Sequence, residues 1–317
     1  MLSYAVTVLV LVTLNFFLPR AMPGDPLSTF QGMGGAALEV DASTRAAVAE
    51  HYGFDRPLLT QYGSYLAGLA RGDLGTSLRY SEPVTEVVAE RLPWTLLLMG
   101  AAIGLASAVS LLAGTHSGWR RGRGVDRGLL GLFMGIRNFP VYFLASLGVF
   151  VFGVKLGWVP ISGSVSPFAG ATGSLGHVLD IAHHLVLPAA ILAVPFAASQ
   201  YLVMRAGMVG ELGSAYLLLG RAKGLGPRRL KYAYAARNAL LPVVTVAGLQ
   251  IGFAVTGAIF VETVFAYPGM GRLVQDAVAF RDYPTLQGCF LVLTLTVLTA
   301  NFVVDAVYAR LDPRTSA

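Results

Sequence analysis

Six stretches of the chain carry apolar side chains all the way round a helix rather than along one stripe. They run over 2–19, 94–114, 128–153, 185–204, 239–261 and 287–308. Each approaches or exceeds the roughly 20 residues that a helix needs to cross a bilayer. None has the polar face that a surface helix keeps toward water. The pattern predicts an all-α membrane protein with six transmembrane helices. The first stretch has the length of a signal peptide, but it lacks a basic n-region and an A-x-A cleavage site, and Pro19-Arg20 ends it abruptly. It reads as a retained span.

Residues 20–93 form a long segment between the first two spans. In Pro57–Arg71, the residues Leu58, Tyr62, Tyr65, Leu66 and Leu69 recur at helical spacing. This suits an amphipathic helix lying on the membrane or on the other spans. Ser81-Glu82-Pro83 reads as a helix start before Val84–Arg91. The resulting organisation is a first helix and external segment over 1–92, a helical core over 93–308 and a tail over 309–317.

Composition agrees with the pattern. The chain is 55% hydrophobic and 13% charged, whereas soluble proteins carry about 25% charged residues. A water-facing globular surface cannot be built from it. Cys289 is the sole cysteine and lies in an apolar run, which excludes an internal disulfide and a cysteine-based metal cluster.

Charge assigns the sides. With the N-terminus inside, the loops on that side and the C-terminal end hold 13 basic and 4 acidic residues, against 9 basic and 13 acidic on the other side. The positive-inside rule places the first set, and both termini, in the cytoplasm. The net charge of +6 is then largely topogenic. No interleaving of basic and aromatic residues points to nucleic acid.

Several devices are missing. No G-x-x-x-x-G-K-S/T loop is present, so the chain does not bind ATP in that way. The five histidines, at 51, 116, 177, 183 and 184, show no metal-ligand spacing, and His183-His184 is read as interfacial, beside a span entrance. No catalytic constellation can be argued from spacing. No metal or cofactor is expected.

The segment with the most information is the loop between spans four and five, GRAKGLGPRRLKYAYAARNALLP, Gly220–Pro242. Two short helices are predicted, one before Gly224 and one from Pro227 to about Ala236. Gly224 and Gly226 supply a sharp turn because glycine tolerates positive φ. Pro227 suits a first helical turn. Arg221, Lys223, Arg228, Arg229 and Lys231 surround the turn. Two readings stand at this point: a knob that another protein grips, or charges that only enforce orientation.

This loop resembles the EAA-type coupling loop of permeases of the oligopeptide/dipeptide/nickel ABC importer family, on the match of Arg221–Leu225 and Arg237–Pro242 to A-R-A-K-G-L and R-N-A-L-x-P. The resemblance covers nearly the whole chain. It includes Met22–Pro26 (MPGDP), Gly53–Ser77, Glu90–Leu96 (ERLPWTL), Leu156–Gly163 (LGWVPISG), Val261–Pro284 and Asn301–Arg314. Departures occur where Ala215-Tyr216-Leu217-Leu218-Leu219 replaces D-Y-V-R-T and where Tyr234 replaces a histidine. The chain also begins at the span itself, without the family's usual basic pair, and a natural start farther upstream is the expectation.

The resemblance implies an ABC transmembrane type-1 importer fold in the bacterial cytoplasmic membrane. It also implies the assembly. A second homologous permease completes the pathway, two cytoplasmic ATP-binding subunits supply energy, and an extracytoplasmic solute-binding protein delivers the solute. The ATPase-coupling loop would comprise Arg221, Ala222, Lys223, Gly224, Leu225, Gly226, Arg228 and Arg229. Gly100, Gly104 and Ala108, and Gly248, Gly252 and Thr256, form small-residue stripes that allow close helix packing, with pathway lining as the other reading. Gln200, Thr245 and Gln250 are candidate pathway groups, or else make local interhelical hydrogen bonds. Arg137 lies inside the third predicted span, where a charge suggests function unless it snorkels. Peptides are the leading solute class, with nickel complexes, glutathione and oligosaccharides as alternatives. A stand-alone channel or secondary transporter is the reading from another class.

Overall fold

A computed structural model describes residues 2–21, 53–167 and 173–311, together with positions 43, 46, 49 and 50. Met22–Pro26 and the end of the tail, 312–317, lie outside the described residues. The helices are α1 (Leu2–Arg20), α2 (Leu58–Ala70), α3 (Val84–Trp119), α4 (Gly124–Ile136) and α5 (Val141–Lys155). They continue as α6 (Gly173–Glu211), α7 (Ala215–Ala222), α8 (Pro227–Val264), α9 (Met270–Ala279) and α10 (Tyr283–Leu311). Among the described residues the β pairing is a single isolated bridge, Thr76 with Pro83.

Four helices, α3, α6, α8 and α10, are long and apolar enough to cross a membrane, and the bent pair α4–α5 is a fifth if it counts as one span. With α1, a 19-residue apolar helix, these occupy the six predicted stretches. The helices overrun the predicted ends. α3 starts at Val84 and runs through Pro93 for 36 residues, about 54 Å at 1.5 Å per residue. α6 starts at Gly173, so His183 and His184 lie within a helix. His184 is buried and its Nδ1 lies 2.9 Å from the Asp180 carbonyl. His183 Nε2 lies 2.9 Å from the Trp158 carbonyl.

The third predicted span is not one helix. It bends by 100° between α4 and α5. The cause is Arg137-Asn138-Phe139-Pro140. Proline disfavours helical backbone in the residue before it, and Pro140 itself is extended at ψ 137. Arg137 therefore ends α4, exposed at the elbow, instead of sitting within a continuous span.

The chain divides into two compact units. The first comprises 1–93 and 272–295. Here α2 lies on α1: Phe16 is fully buried, with its ring 5.1 Å from Tyr62 and 5.5 Å from Tyr65. Thr13 meets the Tyr62 hydroxyl at 2.7 Å. The amphipathic face predicted for α2 is thus spent on a span, although Leu58 stays exposed. Asp282 ties the loop before α3 to the start of α10, accepting from Ser77 Oγ at 2.5 Å and Thr285 Oγ1 at 2.7 Å.

The second unit comprises 94–271 and 296–317. Its core centres on α3, α6 and α8, with Leu98, Ala102, Leu192, Tyr201, Ala254 and Val261 at or near zero exposure. α3 and α6 meet along a ladder of small residues. A Cβ on Gly114 would lie 2.7 Å from Met204 Cβ, and one on Gly118 would lie 2.5 Å from Met208 Cβ. The same ladder carries Ser110, which donates to Gln200 at 3.0 Å.

Candidate functional site

The loop after α6 folds into a compact knob. α7 ends at Ala222, and Lys223 is its last near-helical residue. Gly224 then takes φ 75, the left-handed region that glycine enters freely. Its N–H donates to the Arg221 carbonyl at 2.9 Å, and the Leu225 N–H reaches back to the Gly220 carbonyl at 3.0 Å. This pair of bonds is the Schellman arrangement, which satisfies two of the carbonyls a helix end leaves open. Gly226 departs from the expectation of a second left-handed glycine. It is extended, at φ −65 and ψ 150, and Pro227 follows as the first residue of α8.

A small apolar core holds the knob: Met204, Met208, Leu217, Leu230, Ala235, Ala239 and Val243, with Leu225 and Trp119 packed against it. Gly220 is the close approach, since a Cβ there would lie 2.6 Å from Leu230 Cδ2. The outer surface is different. Leu218 and Leu219 are more than half exposed, and Arg221, Ala222, Lys223, Gly224, Gly226, Arg228 and Arg229 are all exposed. The result is an apolar centre fringed with positive charge on a rigid turn. Tyr216 anchors the base of the knob through a short hydrogen bond to the Glu211 carboxylate. Burial and that carboxylate push its phenol pKa up.

Lys231 does not belong to the charged fringe as predicted. It is 7% exposed, in a π-helical turn, Leu230–Ala235, near the start of α8. Its Nζ lies 3.1 Å from His116 Nδ1 and 3.2 Å from the Tyr232 hydroxyl.

The candidate pathway groups separate. Gln200 and Gln250 are buried and bonded to each other at 2.7 Å, with Gln250 also donating to the Phe196 carbonyl. They join α6 to α8 inside the core. Thr245 is exposed on α8, its hydroxyl 3.3 Å from the Leu241 carbonyl. It shares that helix with the exposed Leu249, Phe253 and Phe260.

The packing glycines separate as well. Gly248 sits against Val304 of α10 so closely that a Cβ would collide with it, and Gly252 is in ordinary contact range of Val297. Gly100 and Gly104 face nothing within 4 Å. Within this chain the close approach of α3 falls instead on Gly114 and Gly118, 14 residues farther along nearly the same face of the helix.

Two buried carboxylates were not singled out from sequence. Asp126, 2% exposed, accepts from Arg205 at 2.6 and 2.8 Å, from Ser117 Oγ at 2.5 Å and from the Gly122 N–H at 2.8 Å. Ser117 in turn meets the Tyr201 hydroxyl at 2.6 Å. The group clamps α3, α4 and α6 together. In the sequence both charges count only among the loop charges that set orientation, and no spacing rule links residues 79 apart.

Glu262, fully buried, accepts from Thr95 Oγ1 at 2.6 Å and from the Gly271 N–H at 2.7 Å, while Thr95 accepts from the Met270 N–H. A carboxylate is favoured at a helix N-terminus, and here it caps α9. A Cβ on Gly269 would collide with the Glu262 carboxylate. That gives a physical reason for the YPGMG stretch.

Among the described residues, no group of histidine, cysteine or carboxylate side chains is placed to hold a metal ion.

Apolar spans, a carboxylate-clamped bundle and an exposed basic turn together describe a helical membrane protein with a charged surface knob. The family described as binding-protein-dependent transport system inner membrane component matches residues 99–317, and the chain belongs to that family. It is thus a multi-pass inner-membrane protein, a permease component of ABC importers.

Curated relatives extend the likeness over the whole chain. The di/tripeptide transport system permease protein DppB of Pseudomonas aeruginosa is 36% identical, covering 95% of this chain and 92% of that protein. The dipeptide transport system permease protein DppB of Escherichia coli K12 is 34% identical, at 95% and 92%. The glutathione transport system permease protein GsiC of Salmonella typhimurium is 35% identical, at 97% and 94%. Among solved structures, a chain of the inward-facing MetNI methionine ABC transporter superposes with a TM-score of 0.58 at 18% identity, covering 73% of this chain and 99% of that one. The last likeness establishes the type-1 importer permease fold.

Proposed function

We propose that this chain forms half of the translocation pathway of an ATP-driven importer of di- or oligopeptides. The observation that carries the reading is whole-length similarity to peptide permeases, joined to a knob that offers exposed leucines and a basic rim on a fixed glycine turn. A second homologous permease supplies the other half. Two cytoplasmic ATP-binding subunits hydrolyse ATP, and an extracytoplasmic binding protein delivers the solute. The chain itself needs no cofactor.

The mechanism is alternating access. ATP closes the ATPase pair, the knob follows, and the helices open the pathway to one side and then the other. Nucleotide drives this only through its different affinity for the two states. The knob lies on the side with the basic excess, which supports a cytoplasmic location for it and for both termini. Arg221, Lys223, Arg228 and Arg229 then face the ATPase, with Gly224 as the turn. Glutathione, itself a modified tripeptide, is the second reading, favoured by the likeness to GsiC.

The test is reconstitution of the permease pair with its ATPases and binding protein in proteoliposomes. Dialanine uptake that requires ATP and binding protein is the expected result, with no ATP hydrolysis by the purified chain alone. Uptake of glutathione but not dialanine selects the second reading. Hydrolysis by the chain alone overturns both.

A further inference from the structure

Besides the Tyr216–Glu211 bond at its base, the knob is joined to the membrane helices in two ways. Apolar packing of Leu217 and Leu230 holds it to Met204 and Met208 of α6. A polar contact, Lys231 to His116, holds it to the last turn of α3. The second contact is chemically unusual. Lysine is almost never fully buried unless paired, yet the hydrogen-bond partners of Lys231 are an imidazole nitrogen and a phenol, with the Tyr232 ring 4.6 Å from Nζ. Neither partner is a carboxylate. A lysine ammonium donates and does not accept, so the contact suits His116 with Nδ1 as its acceptor. Such a bond orients without locking, as a buried ion pair would lock.

The position of the contact matters as much as its chemistry. Lys231 lies in the π-helical turn that follows the knob, and π-turns inside helices concentrate at functional sites. His116 is adjacent in sequence to Ser117, whose hydroxyl donates to Asp126 at 2.5 Å. Asp126 is the carboxylate that Arg205 holds through two bonds. One turn of α3 therefore carries both the contact from the knob and the clamp on α4 and α6. The far end of α4 is the 100° elbow.

We propose that Lys231 is a positioning residue for transport, fixing the π-turn of α8 on His116 so that displacement of the knob reaches α3 and, through Ser117 and Asp126, α4 and α6. This rests on the reading of the knob as the site where the ATPase docks. The pair carries motion onward from that site and makes no contact with nucleotide or solute.

The experiment uses the whole transporter in proteoliposomes, with the purified binding protein and MgATP as probes. Three quantities are read: ATPase co-purification, basal ATP hydrolysis, and its stimulation by binding protein. Lys231→Met is expected to keep the ATPases and the basal rate while stimulation falls about tenfold, within the range by which residues between coupled sites alter coupling. His116→Leu is expected to reproduce the loss. His116→Gln, which keeps an acceptor, is expected to stay close to wild type. If Lys231→Met fails to reach the membrane, Lys231→Leu, which also lacks a donor, carries the same test.

Unchanged stimulation in Lys231→Met overturns the proposal, as does equal loss in His116→Gln and His116→Leu. Release of the ATPases by Lys231→Met also overturns it, since that outcome assigns the residue to docking. The docking reading itself fails by a different signature, full ATPase retention and normal stimulation after Gly224→Val.

Discussion

Two glycines, two residues apart in the knob, should respond in opposite ways to a side chain. Gly224 sits at φ 75, and a Cβ there would meet nothing within 4 Å. Substitution therefore creates no collision, and its cost is conformational. A residue with a Cβ pays about 1–2 kcal/mol for left-handed backbone, and a β-branched one suffers most. That corresponds to a loss of about 5- to 30-fold in the population of the correctly turned knob. Gly226 is also open on all sides, but at φ −65 and ψ 150 it fits any residue, and alanine there should cost about 1 kcal/mol or less as a cap replacement. Asparagine at position 224 should be milder than valine because it tolerates the left-handed region. The expected order of uptake is wild type and Gly226→Ala highest, then Gly224→Asn, Gly224→Ala and Gly224→Val. Reversing Arg228 and Arg229 together should weaken docking less than Gly224→Val, because exposed ion pairs contribute about 0–1 kcal/mol each. The assay is uptake with quantified ATPase co-purification and membrane level for every variant. Normal uptake in Gly224→Val with the ATPases bound would refute the reasoning, and so would equal damage from Gly224→Ala and Gly226→Ala.

The other expectations follow from particular contacts. A cysteine at Ser81 should label with an impermeant reagent from outside intact cells and one at Gly226 should not; the reverse pattern would overturn the orientation. Asp126→Asn should lower stability in detergent by about 2 kcal/mol, less than the about 3–5 of a fully buried pair, because the Arg205 side chain keeps 23% exposure; replacing both residues by apolar ones should recover part of the loss in a thermal-unfolding measurement. Gly118→Leu should destabilise by at least about 1–3 kcal/mol through overpacking against Met208, while Gly100→Leu, with nothing within 4 Å, should leave the same measurement unchanged.

Much of the architecture was legible because the bilayer imposes it. A span must be apolar for its full width, so the six stretches stand out without any knowledge of contacts. Charge bias marks the two sides for a similarly local reason. The Gly224 turn was also readable, since a left-handed residue between two short helices leaves a glycine in the sequence, followed here by Pro227. The elbow after Arg137 had a local signal too, in Asn138-Phe139-Pro140, but the hydrophobicity of the flanking residues masked it.

What tertiary structure decided is which residues face one another. Gly100 and Gly104 have the same i, i+4 spacing as Gly114 and Gly118 and nearly the same face of α3, and only where α6 crosses α3 along its length determines which pair meets Met204 and Met208. Lys231 looks like its basic neighbours in sequence, yet the π-turn rotates it inward to His116. Asp126 and Arg205, or Thr95 and Glu262, become partners through pairings 79 and 167 residues apart. Hydrophobic patterning reports how much of a residue's surroundings is apolar. It carries no information about where one helix crosses the next or how it is rotated there, and in this protein that placement separates buried clamp, packing seam and exposed face.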